Sequence, residues 1–269
     1  MTARTRFTRS ASWLALLVAV WFPPRLAGAQ ELETETARPP EAGVVEAGAG
    51  YEYQVSSEGS EAAAPMFVEL GIAGRLELVV EPVPYTAIRP DAGTHATGAG
   101  DLEITLLGLV LAEGERLPAI ALAGEIKVPT AGNTLIGTGE YDYTGYLILS
   151  KRFGALDASL NLGYAVQGQP PGTMVDDLVS FALAARYLAT PRLDLFAEIL
   201  GNTTTSGEGG SEAGGDTSAN PEVAGGELFG TVGAGYLVTP WALVYLGLTY
   251  DNTNAFMVHP GLTLKYDVF

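Results

Sequence analysis

The sequence predicts an all-β protein: a closed antiparallel transmembrane β-barrel of about twelve strands, following a cleaved signal peptide. Three observations carry this. Strand-length segments alternate between an apolar and a polar face. The connections alternate between tight turns and longer loops. After residue 29, no apolar run reaches the roughly 20 residues that a helix needs to cross a bilayer.

Taken in order, the chain opens with Arg4, Arg6 and Arg9, then the apolar run Trp13 to Phe22, then Ala27-Gly28-Ala29 before Gln30. A basic head, a short apolar stretch and a small-residue cleavage site make residues 1–29 a signal peptide. Residues 30–44 read as a short periplasmic N-terminal segment, and the barrel is expected over 45–269.

Strands are expected at 45–56, 64–72, 75–85, 100–112, 117–129, 139–153, 155–168, 176–188, 191–203, 226–238, 241–252 and 255–269. The two faces are plain in several of them. Val68, Leu70 and Ile72 oppose Glu69, while Leu76, Leu78 and Val80 oppose Arg75, Glu77 and Glu81. Ile120, Leu122, Ile126 and Val128 oppose Glu125 and Lys127; Leu156, Leu160, Leu162, Tyr164 and Val166 oppose Asp157, Ser159, Asn161 and Gln167. A soluble sheet would have to bury those charges, whereas lipid outside and a polar lumen inside explain them directly.

The tight connections are Ala73-Gly74, Glu113 to Arg116, Gly154, Ala189-Thr190 and Thr239-Pro240. The long ones are 57–63, 86–99, 130–138, 169–175 and 204–225. Short periplasmic turns and long outer loops are the barrel habit, and an even strand count puts both termini in the periplasm. Loop 204–225 is rich in Gly, Ser and Glu, too poor in apolar residues to order itself, and reads as a mobile outer loop. Phe153, Tyr187 and Trp241 beside tight turns, and Tyr141, Tyr143, Tyr250 and Phe256 near loop ends, suit the two aromatic girdles of a membrane barrel. The terminal Tyr266-Asp267-Val268-Phe269 closes an amphipathic strand with an aromatic residue, an ending that resembles the signal read by the outer-membrane barrel-assembly machinery, with Tyr266 one place off the usual spacing.

Composition narrows the function classes. Four of the 14 basic residues and none of the 31 acidic ones lie in 1–29, which leaves 10 against 31 and a formal charge of −21. That balance argues against nucleic-acid binding, which needs a basic surface. With no cysteine and two histidines there is little for metal, thiolate or cofactor chemistry. His95 sits in an expected outer loop and His259 near the start of the last strand, and neither joins a base–nucleophile arrangement. No phosphate loop or His-Glu-x-x-His motif occurs. The sequence offers no catalytic site.

The expected lumen face carries Glu69, Glu77, Asp101, Glu103, Glu125, Lys127, Asp142, Tyr146, Arg152, Arg186, Glu198 and Tyr245 as the candidate solute path. Arg75, Asp157, Asp194 and Lys265 are assigned to the same face. A barrel of this size lies between those filled by side chains and those holding a wide water channel, so a narrow passage is expected. The alternative is a structural or adhesive barrel whose opposed charges pair and plug the lumen. Expected partners are outer-membrane lipid and lipopolysaccharide, the assembly machinery and a small-molecule solute.

Several stretches resemble an outer-membrane family, the meta-pathway phenol-degradation proteins. Thr97-Gly98-Ala99-Gly100-Asp101-Leu102-Glu103 is similar to that family's Gly-x-Gly-Asp strand opening, and Lys127-Val128-Pro129-Thr130 to its Lys-x-Pro-Thr strand end. Glu69-Leu70-Gly71-Ile72-Ala73-Gly74-Arg75-Leu76-Glu77 resembles its first hairpin, with Ala-Gly in place of a polar pair. Gly137-Thr138-Gly139-Glu140-Tyr141-Asp142 and Ser150-Lys151-Arg152-Phe153-Gly154 continue the series. The resemblance covers about residues 65–170 and implies a transporter-like barrel linked to aromatic-compound catabolism, with no catalytic residues to carry over.

Overall fold

Residues 32–203 and 228–267 are described by the computed structural model. The expected signal peptide 1–29, the expected outer loop 204–225 and the terminal Phe269 lie outside the described residues.

The described chain forms sixteen strands and no helix: β1 (Val44–Gly50), β2 (Glu52–Val55), β3 (Gly59–Ala63), β4 (Met66–Gly71), β5 (Leu76–Pro82), β6 (Thr86–Pro90), β7 (Ala96–Gly98), β8 (Leu102–Leu111), β9 (Ala119–Val128), β10 (Asp142–Phe153), β11 (Leu156–Val166), β12 (Leu178–Leu188), β13 (Leu193–Asn202), β14 (Leu228–Thr239), β15 (Ala242–Asp251) and β16 (Phe256–Asp267). They make twelve barrel staves. The order around the wall is β1-β4-β5-β8, then β9 to β16 in sequence, and β16 pairs back onto β1. All pairings are antiparallel, and closure leaves the wall no free edge.

Period two builds this wall. Along β11, Leu156, Leu162, Tyr164 and Val166 are exposed on the outside while Ser159 and Asn161 are buried on the inside. Leu122 at 56% and Val232 at 59% show how open the apolar face is, as a lipid-facing surface must be. At the tight turns Gly74 and Gly154 take φ of 66° and 64°, the left-handed conformation that short hairpins require and that glycine adopts without penalty.

From β8 onward the expected strands match within three residues. The first four staves differ: each is two strands, β1/β2, β3/β4, β5/β6 and β7/β8. Pro65 and Pro84 have no N–H for the ladder and break the second and third staves. The breaks are knitted by Gly50 N–H donating to Pro65 O (2.9 Å) and Ala64 N–H donating to Tyr85 O (2.9 Å). Beyond them β2, β3, β6 and β7 continue as a side sheet; β2 lies within the expected strand 45–56, whereas β3, β6 and β7 occupy residues expected to be loops, 57–63 and 86–99.

The N-terminal segment is a correction. Residues 30–44 were expected in the periplasm, yet the described residues before β1 run inside the lumen. Arg38 bonds to Glu113 and Asp157 beside two tight turns, and Thr34 bonds to Glu198 about halfway along β13. Ala37 is fully buried against Leu107, Ala119, Ala121 and Ile148. The segment is polar and aperiodic, which reads as solvated, but the lumen wall satisfies its backbone as water would.

Candidate functional site

The lumen is built from cross-strand rungs. Because inward side chains alternate along each stave, directly opposed residues form continuous ladders around the inner wall. Near the tight turns, Asp157 stands between Arg152 on β10 and Arg186 on β12. Arg152 Nε lies 3.0 Å from Asp157, and Arg186 pairs with Asp194 at 3.8 Å. On the opposite wall Lys265, Glu46 and Glu69 follow one another across β16, β1 and β4, with Lys265 Nζ 2.9 Å from Glu46 Oε1. Higher up, Glu81, Glu103, Lys127 and Asp142 stand in line across β5, β8, β9 and β10, and Lys127 pairs with Asp142 in a buried ion pair. Between these rungs Glu125 accepts from Thr105 Oγ1 (3.2 Å) and from Tyr146 OH (3.4 Å).

The N-terminal segment is held by bonds from these walls. Thr34 donates through its N–H (2.7 Å) and its hydroxyl to Glu198 Oε1. Ala37 N–H donates to Ser150 Oγ at 2.8 Å. With its amide oriented by its surroundings, Asn161 accepts from Glu35 N–H (2.7 Å) and donates to Glu35 O (3.0 Å). Burial first, and then the carboxylates of Glu77 and Glu125, push the Glu35 carboxyl up to about 8.

Several lumen rings lie flat over glycines. Phe67 faces Gly48, Tyr146 faces Gly163, Phe196 faces Gly233, Tyr245 faces Gly261 and His259 faces Gly247, each in direct cross-strand opposition. A Cβ added at Gly48 or Gly261 would come within 2.2 Å of the ring above it. The missing side chain lets each ring lie along the wall and keeps it out of the bore.

At the outer end, Asp101 accepts from Ala131 N–H (2.8 Å) and Thr130 Oγ1 donates to Gly100 O (3.1 Å). Ile136 is fully buried, its Cδ1 against Gly98. The Gly98–Asp101 and Pro129–Thr130 stretches thus clasp loop 130–137 onto the β6–β7 hairpin.

The twelve residues of the candidate path take the inward parity of their strands. Glu69, Glu77, Asp101, Glu103, Lys127, Asp142 and Glu198 are buried, and Arg152 is at the turn-side rim. Arg75 sits exposed in the turn before β5. Glu46, Thr263, Glu35 and Arg38 belong to the lumen and were missed. Glu46 could have been found by counting back from Phe67 and Glu69 across a paired first strand; Arg38, a lone base in an acidic stretch, was the other available signal.

No protein-family model matches the chain, and no curated protein matches it in sequence. Solved structures match in fold. An outer membrane channel from Pseudomonas putida F1 is similar over 88% of this chain and 100% of its own, with TM-score 0.65 and 13% identity. NanC porin aligns over 81% of this chain and 98% of its own, with TM-score 0.58 and 10% identity. KdgM porin, solved in complex with disordered oligogalacturonate, aligns over the same shares, 81% and 98%, with TM-score 0.53 and 9% identity.

Proposed function

We infer that this protein is an outer-membrane channel for small solutes, aromatic ones among them, whose bore is narrowed by its own N-terminal segment. One observation carries the reading. The segment is tied to the lumen wall by hydrogen bonds and ion pairs to side chains, from Glu113 to Glu198, with Ala37 in an apolar contact. Polar bonds of this kind exchange readily with water, so the segment narrows the passage without the packed core that would seal it. The flat ring of Tyr146 supplies aromatic surface beside the Glu125 carboxylate, and Tyr245 adds a second ring, which suits a small amphipathic solute. The solved neighbours, described as porins and a channel, and the resemblance to the phenol-degradation family both support this reading.

The second reading is a plugged structural barrel, favoured by the full burial of Leu107 and Ile148 within the bore. Single-channel recording of refolded protein in planar bilayers, with and without aromatic solutes, separates the two. Small conductance modulated by the solutes is expected; a silent bilayer across a range of voltages would favour the plug. The same barrel should fold only in detergent or lipid and migrate differently on gels before and after boiling. Recognition by the assembly machinery is part of this proposal. It is tested by replacing Phe269 with Ala and measuring folded yield in the outer membrane.

A further inference from the structure

Among the described residues seven buried side-chain oxygens have no hydrogen-bond partner, and three of them sit in one corner of the lumen wall, on the adjacent strands β16, β1 and β4. These three are Oε2 of Glu46, Oε2 of Glu69 and Oγ1 of Thr263, on residues 0%, 2% and 0% exposed. The register of β16, β1 and β4 brings them together. Glu46 stands opposite Lys265 on one side and Glu69 on the other; one rung along, Gly48 stands opposite Thr263 and Phe67. Directly opposed side chains are about 5 Å apart at Cβ and diagonal ones about 7 Å, so Glu46, the middle residue, lies within reach of Glu69 on one side and of Thr263 on the other. A buried acceptor left without a donor is costly, and three together call for a group that supplies donors.

The chemistry of that group follows from the corner. When deprotonated, as a bound cation would favour, a carboxylate oxygen only accepts, and a threonine hydroxyl accepts as well as donates. Lys265 already places an ammonium 2.9 Å from the other oxygen of Glu46, so the rung takes this group in ordinary geometry. A primary ammonium carries three N–H donors and no acceptor, one donor for each orphan oxygen. Beside the corner the rings of Phe67 and Tyr245 lie flat over Gly48 and Gly261. Aromatic faces attract a cation and take apolar surface. Lys265, Tyr245 and Gly261 are only half-buried, which leaves an approach from the β15–β16 side.

We propose that this corner binds the primary ammonium of a small amphipathic amine, on Glu46, Glu69 and Thr263, with the apolar part against Phe67 and Tyr245. This deepens the channel reading by naming a solute class, and rests on it only for the route by which the amine arrives. The competing account is that Lys265 serves the corner and water fills the rest.

The test uses phenethylammonium, with 2-phenylethanol and phenylacetate as its neutral and anionic counterparts. Two readouts are taken on the refolded full barrel: block of single-channel current in planar bilayers, and calorimetric binding in detergent, which needs no conductance. The amine is expected to bind and block where its counterparts do not. Glu46→Gln with Glu69→Gln should weaken both effects about tenfold, and Thr263→Val about threefold. Lys265→Met removes the competing ammonium and should tighten binding. Equal binding of the alcohol, unchanged binding in the double variant, or weaker binding in Lys265→Met would overturn the proposal. Should the double variant fail the heat-migration test of folding, Thr263→Val and Lys265→Met decide alone. A silent bilayer with intact amine binding would sink the channel reading and leave the site standing; a conducting barrel without amine preference would do the reverse.

Discussion

Arg38 and Asp157 meet through two parallel hydrogen bonds, Nη1 to Oδ2 at 3.0 Å and Nη2 to Oδ1 at 2.7 Å. This fork-on-carboxylate geometry is the strongest single tie between the N-terminal segment and the wall, because paired charge-assisted bonds gain from both charge and planarity. Arg38 Nε also reaches Glu113 at 3.1 Å, so one guanidinium joins two turns to the segment.

Arg38→Ala should therefore loosen the segment while leaving the barrel folded. About 2 kcal/mol of docking is expected to go with the charged hydrogen bonds. In bilayer recordings the variant should show higher and noisier conductance than the parent. Conductance equal to the parent's would mean that Thr34 and Ala37 hold the segment without Arg38.

The ring-over-glycine pairs make a stability prediction. At Gly233 an added Cβ would lie 2.2 Å from Phe196 Cζ and 2.5 Å from Leu246 O, one of them backbone that cannot swing away. Gly233→Ala should destabilise the barrel by about 1–3 kcal/mol, the usual cost of overpacking. At Gly145 a Cβ meets nothing within 4 Å, so Gly145→Ala is the matched control. Urea unfolding in micelles reads both; equal midpoints would show that the Phe196 ring yields freely.

What the sequence revealed and what it hid have a common physical cause. Period-two patterning and turn residues are local, so β8 to β16 and the inward parity of residues such as Glu125 and Arg186 could be read directly. The docking of the N-terminal segment could not, since Thr34 finds Glu198 and Ala37 finds Ser150 across separations of 164 and 113 residues. Nothing near Thr34 announces its acceptor. The expected strands are bounded at 64 and 85, beside Pro65 and Pro84, where the staves are interrupted and then continue, so β3 and β6 fall in expected loops. The ring–glycine pairs need the register of two strands at once, which periodicity in one strand does not supply.

The acid on the segment adds a pH dependence. Glu35 is raised from 4.5 to about 8 in the docked state, by burial and then by Glu77 and Glu125, and returns to an ordinary carboxyl if the segment leaves the lumen. The docked form thus holds an extra proton between those two values. Docking is strongest below the lower value and is lost as pH rises through the upper one. Conductance should rise across that window, and Glu35→Gln should flatten the profile. Conductance that falls with rising pH would contradict the assignment.

Charge selectivity is the last expectation, and the ion pair of Lys127 with Asp142 decides how it must be tested. Neutralising Glu125 and Asp142 together would probe the acidic excess of the lumen, but Asp142 is the carboxylate on a Lys127 that is only 2% exposed at its side chain. Asp142→Asn removes a charge from a buried pair and should cost about 3–5 kcal/mol of stability, which would confuse any change in selectivity. Glu125 has hydroxyl partners, Thr105 and Tyr146, and Glu125→Gln keeps an acceptor for both while deleting the charge. This single change should move the reversal potential in a salt gradient toward zero from a weak cation preference, with little shift in the urea midpoint. Leu122→Ala, on the lipid face, should alter stability alone. A parent barrel that prefers anions would show that Arg38, Arg152 and Arg186 at the turn-side rim control permeation and that the carboxylates above them do not.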